Sequence, residues 1–317
     1  MIKKDRKLYR AQSLLELLLS VAVGTIMIGG SVLLMGVSLK NYQSIRQNLQ
    51  ANSLLRQYAE VIISLAKDDW HNIADLTKDS NYHLSLSGNS WSIQSGVASS
   101  TVNSVPYSLY FQVSSVNRDA SGDISDSGDN DPNTLKIVNT IEYGPNYVSS
   151  SSLSFYLTRS GNNKVFQQTD WSGGSGQTGP IPNPGNKFDS SDNIDYSTSG
   201  QITMATTTSD SYLISSILDT GVSGGAGFNS LLWQGSLGSG GSVKFQIAFS
   251  NSPSGPWTYY GPTSTSDYYQ PNPDVSVSFP TTGSASPQNY RYIRYKVYLS
   301  TTDTTPQVDD IIINWSP

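Results

Sequence analysis

Arg10-Ala11-Gln12-Ser13-Leu14-Leu15-Glu16 leads directly into an apolar run, residues 17–39, that carries no charged side chain. As a helix rising about 1.5 Å per residue, this run spans roughly 35 Å, enough to cross a bilayer. A basic stretch precedes it, with Lys3, Lys4, Arg6, Lys7 and Arg10. Positive flanks stay on the cytoplasmic side, so everything after the run is expected outside. A secretory signal would place small residues in an A-x-A-like pattern after its apolar core. Here the core runs into Lys40-Asn41-Tyr42-Gln43, and the small residue, Ala11, stands before it.

That arrangement resembles the prepilin signal of type IV pilins and the related pseudopilins. The resemblance implies a leader of residues 1–11, removed by a prepilin peptidase between Ala11 and Gln12, with N-methylation of the new terminus at Gln12. Cleavage there makes Glu16 the fifth residue, which is the family hallmark. Ala11 stands where the family usually has Gly, and Gln12 where it usually has Phe. A carboxylate at the edge of a membrane helix is costly without a partner. The family supplies one in the terminal amine of a neighbouring subunit, which gives Glu16 an assembly role. Expected partners are therefore the peptidase, other pilin subunits through the helix, and membrane lipid before assembly. The expected location is the cytoplasmic membrane, single-pass with the leader cytoplasmic, and then an extracellular filament or the cell surface.

Residues 42–67 contain no Pro or Gly, and apolar residues recur near helical spacing at Ile45, Leu49, Leu54, Leu55, Tyr58, Val61, Ile62 and Leu65. One long helix over 12–67 follows, amphipathic in its second half. Gly24, Gly29, Gly30 and Gly36 interrupt the first half, and the Gly29-Gly30 pair is its expected weak point.

The remainder reads as β-structure, giving an α+β chain with a long N-terminal helix, a β-rich pilin-like head over 68–170 and an all-β sandwich over 196–317. Head strands are expected at 82–87, 90–94, 107–117, 134–143, 152–159 and 164–169. Residues 171–195 are rich in Gly and Pro and read as a linker. Sandwich strands are expected at 201–205, 212–218, 230–237, 242–250, 257–261, 274–279, 290–300 and 307–315. In the strand from Tyr290, Ile293, Tyr295, Val297 and Leu299 share one face, and Tyr292, Arg294, Lys296 and Tyr298 the other. The segments 254–260, 290–297 and 308–313 resemble the jelly-roll, galactose-binding-like modules appended to bacterial surface proteins. This second resemblance covers only the last third and implies a β-sandwich more firmly than a sugar ligand.

Composition narrows the function. The chain holds no cysteine, and its net charge is −5. The leader carries five basic residues and Asp5, so from Gln12 onward the charge is −9. An acidic chain without a basic cluster argues against nucleic acid as a partner. No cofactor is expected, with Ca²⁺ the one candidate. Asp119, Asp123, Asp126, Asp129 and Asp131 lie within thirteen residues, with turn-forming glycines, and could offer oxygen ligands. Their spacing is not that of an EF-hand, and a solvated turn-rich loop is the plainer reading. The two histidines, His71 and His83, have no zinc-ligand spacing and read as surface or packing residues. No P-loop is present and no G-x-G-x-x-G follows a strand and opens a helix, so no enzyme is expected.

Trp257, Tyr259, Tyr260, Tyr292 and Tyr298, with Tyr268 and Tyr269 nearby and Arg294 and Lys296 among them, offer ring faces and polar groups for surface glycans. The same rings could simply cover the sandwich. The expected function is a minor pilin-like subunit of a type IV pilus-type filament, with the last domain serving adhesion. The alternatives are a pseudopilin of a secretion or DNA-uptake system and a non-polymerising, membrane-anchored carbohydrate-binding protein. An anchored hydrolase ranks last.

Overall fold

The computed structural model describes residues 6–171 and 187–317, with side chains described from Leu15 onward. Residues 1–5 of the leader and 172–186 of the expected linker lie outside the described residues, as do the side chains of Ala11 and Gln12. The chain is α+β and mostly sheet: one long helix followed by a β-rich body.

Helix α1 runs unbroken over Arg6–Asp68, longer at both ends than the pattern indicates and straight through the Gly29-Gly30 pair. At about 1.5 Å per residue it is roughly 95 Å long. A short helix, α2 (His71–Ala74), follows, and Asp69 accepts a hydrogen bond from the His71 backbone N–H at 2.9 Å across the break.

The head strands are β1 (Tyr82–Ser87), β2 (Ser90–Ser95), β3 (Ala98–Val102), β4 (Val105–Arg118), β5 (Ile124–Ser125), β6 (Asp129–Tyr143) and β7 (Ser149–Thr158). They form one sheet in the order β2-β1-β4-β6-β7, with β3 and β5 also on β4. The later strands are β8 (Lys164–Gln168), β9 (Phe188–Asp192), β10 (Ile194–Asp195), β11 (Thr203–Met204), β12 (Ser211–Ser215), β13 (Leu218–Asp219), β14 (Ala226–Ser236), β15 (Gly241–Ser250), β16 (Val277–Ser278), β17 (Gln288–Tyr290), β18 (Tyr292–Thr301) and β19 (Gln307–Ser316).

The chain divides into two compact units. One comprises residues up to 57 with 99–109 and 140–152. In it, Leu15, Ile26 and Leu33 are 69%, 74% and 73% exposed, whereas Ala51 and Leu55 are buried. Tyr107 stacks on Tyr143 with ring centroids 5.9 Å apart, and its hydroxyl donates to Gln50 Oε1 at 3.4 Å.

The other unit comprises residues 58–98, 110–139 and 153–317, and holds two cores. The smaller packs Ile62 from the end of α1 with Trp70, Ile73, Phe111, Val113 and Ile137. The larger fills a β-sandwich. One sheet runs β9-β12-β18 with β13 beside β12 on the same edge of β18 and β15 on the other. The second runs β16-β14-β19-β8, with β17 on β14. Phe245, Ile293, Val297 and Leu299 from the first meet Phe228, Trp233, Val308 and Ile313 from the second. Each such fully buried side chain contributes about 1.5–3 kcal/mol, which explains why the alternating strands hold their register.

Several strands differ from the sequence expectation. Residues 164–168, expected as the last head strand, are β8 on the sandwich edge, with Phe166 opposite Ile313 and stacked on Trp315 at 5.4 Å. Within the expected linker, 188–192 and 194–195 form β9 and β10. Residues 257–261 form no strand; the loop instead lies along the free edge of β15 through single bridges, Ile247 to Tyr260 and Phe245 to Tyr269.

Candidate functional site

Alternation along β18 turns Tyr292, Arg294, Lys296 and Tyr298 to the outer face of the first sandwich sheet, since Ile293, Tyr295, Val297 and Leu299 fill the core. Register places Tyr212 of β12 and Lys244 of β15 on either side of Tyr298, and Gln246 beside Lys296. The Lys296 ammonium lies 4.1 Å from the Tyr212 ring centroid and 4.7 Å from that of Tyr298. Tyr298 meets Tyr268 edge to face at 5.2 Å, and Lys244 sits 5.7 Å over Tyr268. Rings and cations thus alternate in one strip, each cation within reach of a ring quadrupole.

Gln246 locks the loop onto this face. Its amide donates to the carbonyls of Thr265 and Asp267 at 2.8 and 2.9 Å, and its Oε1 accepts from the Tyr298 hydroxyl at 2.8 Å. Arg294, itself buried, lies 5.3 Å over Trp257, donates to the Ser215 carbonyl at 3.1 Å and pairs with Asp189 at 3.0 Å. Burial pushes the phenols of Tyr259 and Tyr298 up to about 12, and lowers the pKa of Lys296. The Tyr259 hydroxyl is buried with no hydrogen-bond partner.

Of the rings named from sequence, Trp257, Tyr259 and Tyr298 therefore gather around Arg294 and Lys296. Tyr292 lies at the end of the strip, under Arg291 at 5.1 Å. Tyr260 departs: its backbone bridges Ile247, which turns its ring to stack on Phe249 at 5.6 Å. Tyr269 is buried in the core for the same reason. Sequence reasoning passed over Tyr212, Lys244, Gln246 and Asp189. The alternation of Val243-Lys244-Phe245-Gln246 already turned two of them outward; nothing local marked Tyr212 or Asp189.

In the acidic segment, Asp131 pairs with Arg118 at 2.7 Å and accepts from the Asn133 N–H at 2.9 Å. Asp119 accepts from the N–H groups of Ser121 and Asp123 at 2.9 and 3.0 Å. Burial would raise the Asp131 carboxyl, but hydrogen bonds from Thr134, Arg118 and Asn133 outweigh it and hold the pKa below the usual value. No three His, Cys, Asp or Glu among the described residues come together as a metal site. Asp123, Asp126 and Asp129 are exposed.

Of the histidines, His83 has a buried, unpartnered Nδ1. His71 faces Asp75 at 3.0 Å through Nδ1 and the Gly225 carbonyl at 2.9 Å through Nε2. Glu16 is exposed on α1.

No family model matches the chain, and no curated protein matches it. Among solved structures, a carbohydrate-binding module of the β-sandwich superfamily overlaps 76% of this chain and 100% of its own, at 12% identity and a TM-score of 0.22. Structures of infectious bursal disease virus overlap 74% of this chain: the Gx strain with 64% of its own chain, 11% identity and TM-score 0.21, and the Gt strain with 63%, 9% and 0.20. Overlaps this slight carry no weight for function, which has to rest on the residues themselves.

Proposed function

We propose that this chain is a pilin-like subunit, most simply a minor one, of a type IV pilus-type filament, held in the membrane by α1 before assembly and carrying its C-terminal β-sandwich as a binding domain. The observation that carries this reading is the change in exposure along one unbroken helix. From Leu15 to Leu39 the apolar side chains stand bare, while Ala51, Leu55 and Ile62 are buried. A bare apolar half-helix needs lipid or like helices around it. Glu16, fifth from Gln12, is the charged group at its start, and a neighbour's freed amine would complete it. The role is assembly and binding rather than catalysis.

Mass spectrometry of the N-terminus of the protein from native membranes tests this. A chain beginning at Gln12, N-methylated, supports filament assembly; one that still carries residues 1–11 removes it. The second reading, an anchored surface binder that never polymerises, draws on the ring-and-cation face, which needs no filament to act. A pseudopilin shares the N-terminus, and loss of secretion or DNA uptake on deletion would separate it from a pilus subunit.

A further inference from the structure

The residues 188–317 contain ten Asp and only four Lys or Arg: Lys244, Arg291, Arg294 and Lys296. All four lie on β15 or within or beside β18. Arg291 is neutralised by Asp219 at 2.8 Å and Arg294 by Asp189 at 3.0 Å. Lys244 and Lys296 have no carboxylate within 4.0 Å among the described residues, and their ammonium groups face the rings of Tyr268, Tyr212 and Tyr298 instead. While Lys164 of β8 lies over Trp315 on the other sheet, two cations without a carboxylate thus share one sheet face. The same face presents the Tyr298 hydroxyl, the half-buried Trp257 and the exposed ring of Tyr268.

We infer that the outer face of β12, β18 and β15 binds an anionic polysaccharide, whose carboxylate or sulfate groups meet Lys296 and Lys244 while its sugar rings lie against Tyr268 and Trp257. The cations supply charge complementarity, and the aromatic bodies supply apolar area at small entropic cost. A nucleic acid fits poorly, because two unpaired cations on a chain at −5 cannot offset a continuous phosphate backbone. The inference rests on the binding half of the proposed function and not on the helix.

The test uses the full chain in detergent micelles, with polygalacturonate, dextran sulfate and unmodified dextran as probes. One or both acidic polymers should bind, and their difference tells carboxylate from sulfate preference; dextran should bind at least about tenfold more weakly. Lys296→Gln should weaken binding about tenfold with an unchanged melting temperature, and the less enclosed Lys244→Gln should weaken it about threefold. Lys164→Gln, whose ammonium lies over Trp315 on the other sheet, should leave binding unchanged. Equal binding of dextran, no effect of either Gln variant on the face, or an equal effect of Lys164→Gln would each overturn the inference. So would self-association that Lys296→Gln abolishes in the absence of glycan, which would assign the face to a second copy. Failure here leaves N-terminal processing untouched, and an uncleaved leader leaves this result untouched.

Discussion

The Arg159 guanidinium and the His71 imidazole share one acceptor: Nη2 of Arg159 donates to the Gly225 carbonyl at 2.5 Å, and His71 Nε2 reaches it at 2.9 Å, with the two side chains 3.3 Å apart. Arg159 also donates to Asn289 Oδ1 at 2.6 Å and to the Pro317 carbonyl at 3.0 Å. One buried cation thus ties the segment after α1, the end of the head sheet and three parts of the sandwich. Burial pushes its pKa down to about 10, against Asp69 and Asp75 which raise it, so it stays charged at neutral pH.

Arg159→Met should cost about 3 kcal/mol of stability, because it leaves several buried acceptors without a donor. Arg159→Lys should recover only part of this, since an ammonium cannot span the fork. Urea unfolding of both variants measures it; a loss below about 1 kcal/mol for the Met variant would show that water replaces the guanidinium.

Gly225 has φ +89°, and a Cβ built there falls 2.3 Å from the Asn289 carbonyl carbon. Gly225→Ala should therefore destabilise by about 2 kcal/mol or more, as strained backbone and overlap add. A melting curve indistinguishable from the native one would mean that the loop moves away freely.

The long helix was legible because an uncharged run and a Pro- and Gly-free amphipathic stretch are local signals. The β18 face was legible because alternation is local too. The fate of β8 was not: Lys164-Val165-Phe166-Gln167-Gln168 puts one apolar residue on each face and says nothing of which edge it joins. The choice between Tyr259 and Tyr260 was likewise invisible, because the bridge from Tyr260 to Ile247, between distant segments, sets which ring faces out. The Arg159 joint draws single residues from elements far apart in sequence, so no pattern announced it.

Asp131 titrates in a predictable direction. Its folded pKa lies below the unfolded value of about 3.9, so its pairing stabilises the native state above that pH and is lost as pH falls through the lower folded value. The stability gap between the native chain and Asp131→Asn should be widest above about pH 5 and close in acid. A gap that stays constant from pH 7 to 3 contradicts the assignment.

Under the proposed filament reading, Glu16→Gln should leave membrane insertion intact and sharply reduce filament incorporation, since it removes the charge that a neighbour's amine would meet. Sheared-filament fractions and membrane fractions, probed side by side, report the two steps. Undiminished incorporation would free Glu16 of the assembly role.

The donation of β8 to the sandwich has a practical consequence for cutting the chain. Gln168 donates to the Lys187 carbonyl at 2.7 Å, and Lys187 pairs with Asp170, so the two ends of 172–186 are fastened to one another. A nick anywhere between them severs the covalent path and leaves the sheet whole, so both pieces should co-purify until denatured. A recombinant fragment begun after the Gly/Pro tract would instead bare the flank of β19 and forfeit the Phe166–Trp315 stack, inviting strand-to-strand aggregation. A fragment that keeps the β8–β19 pairing has to start ahead of Lys164.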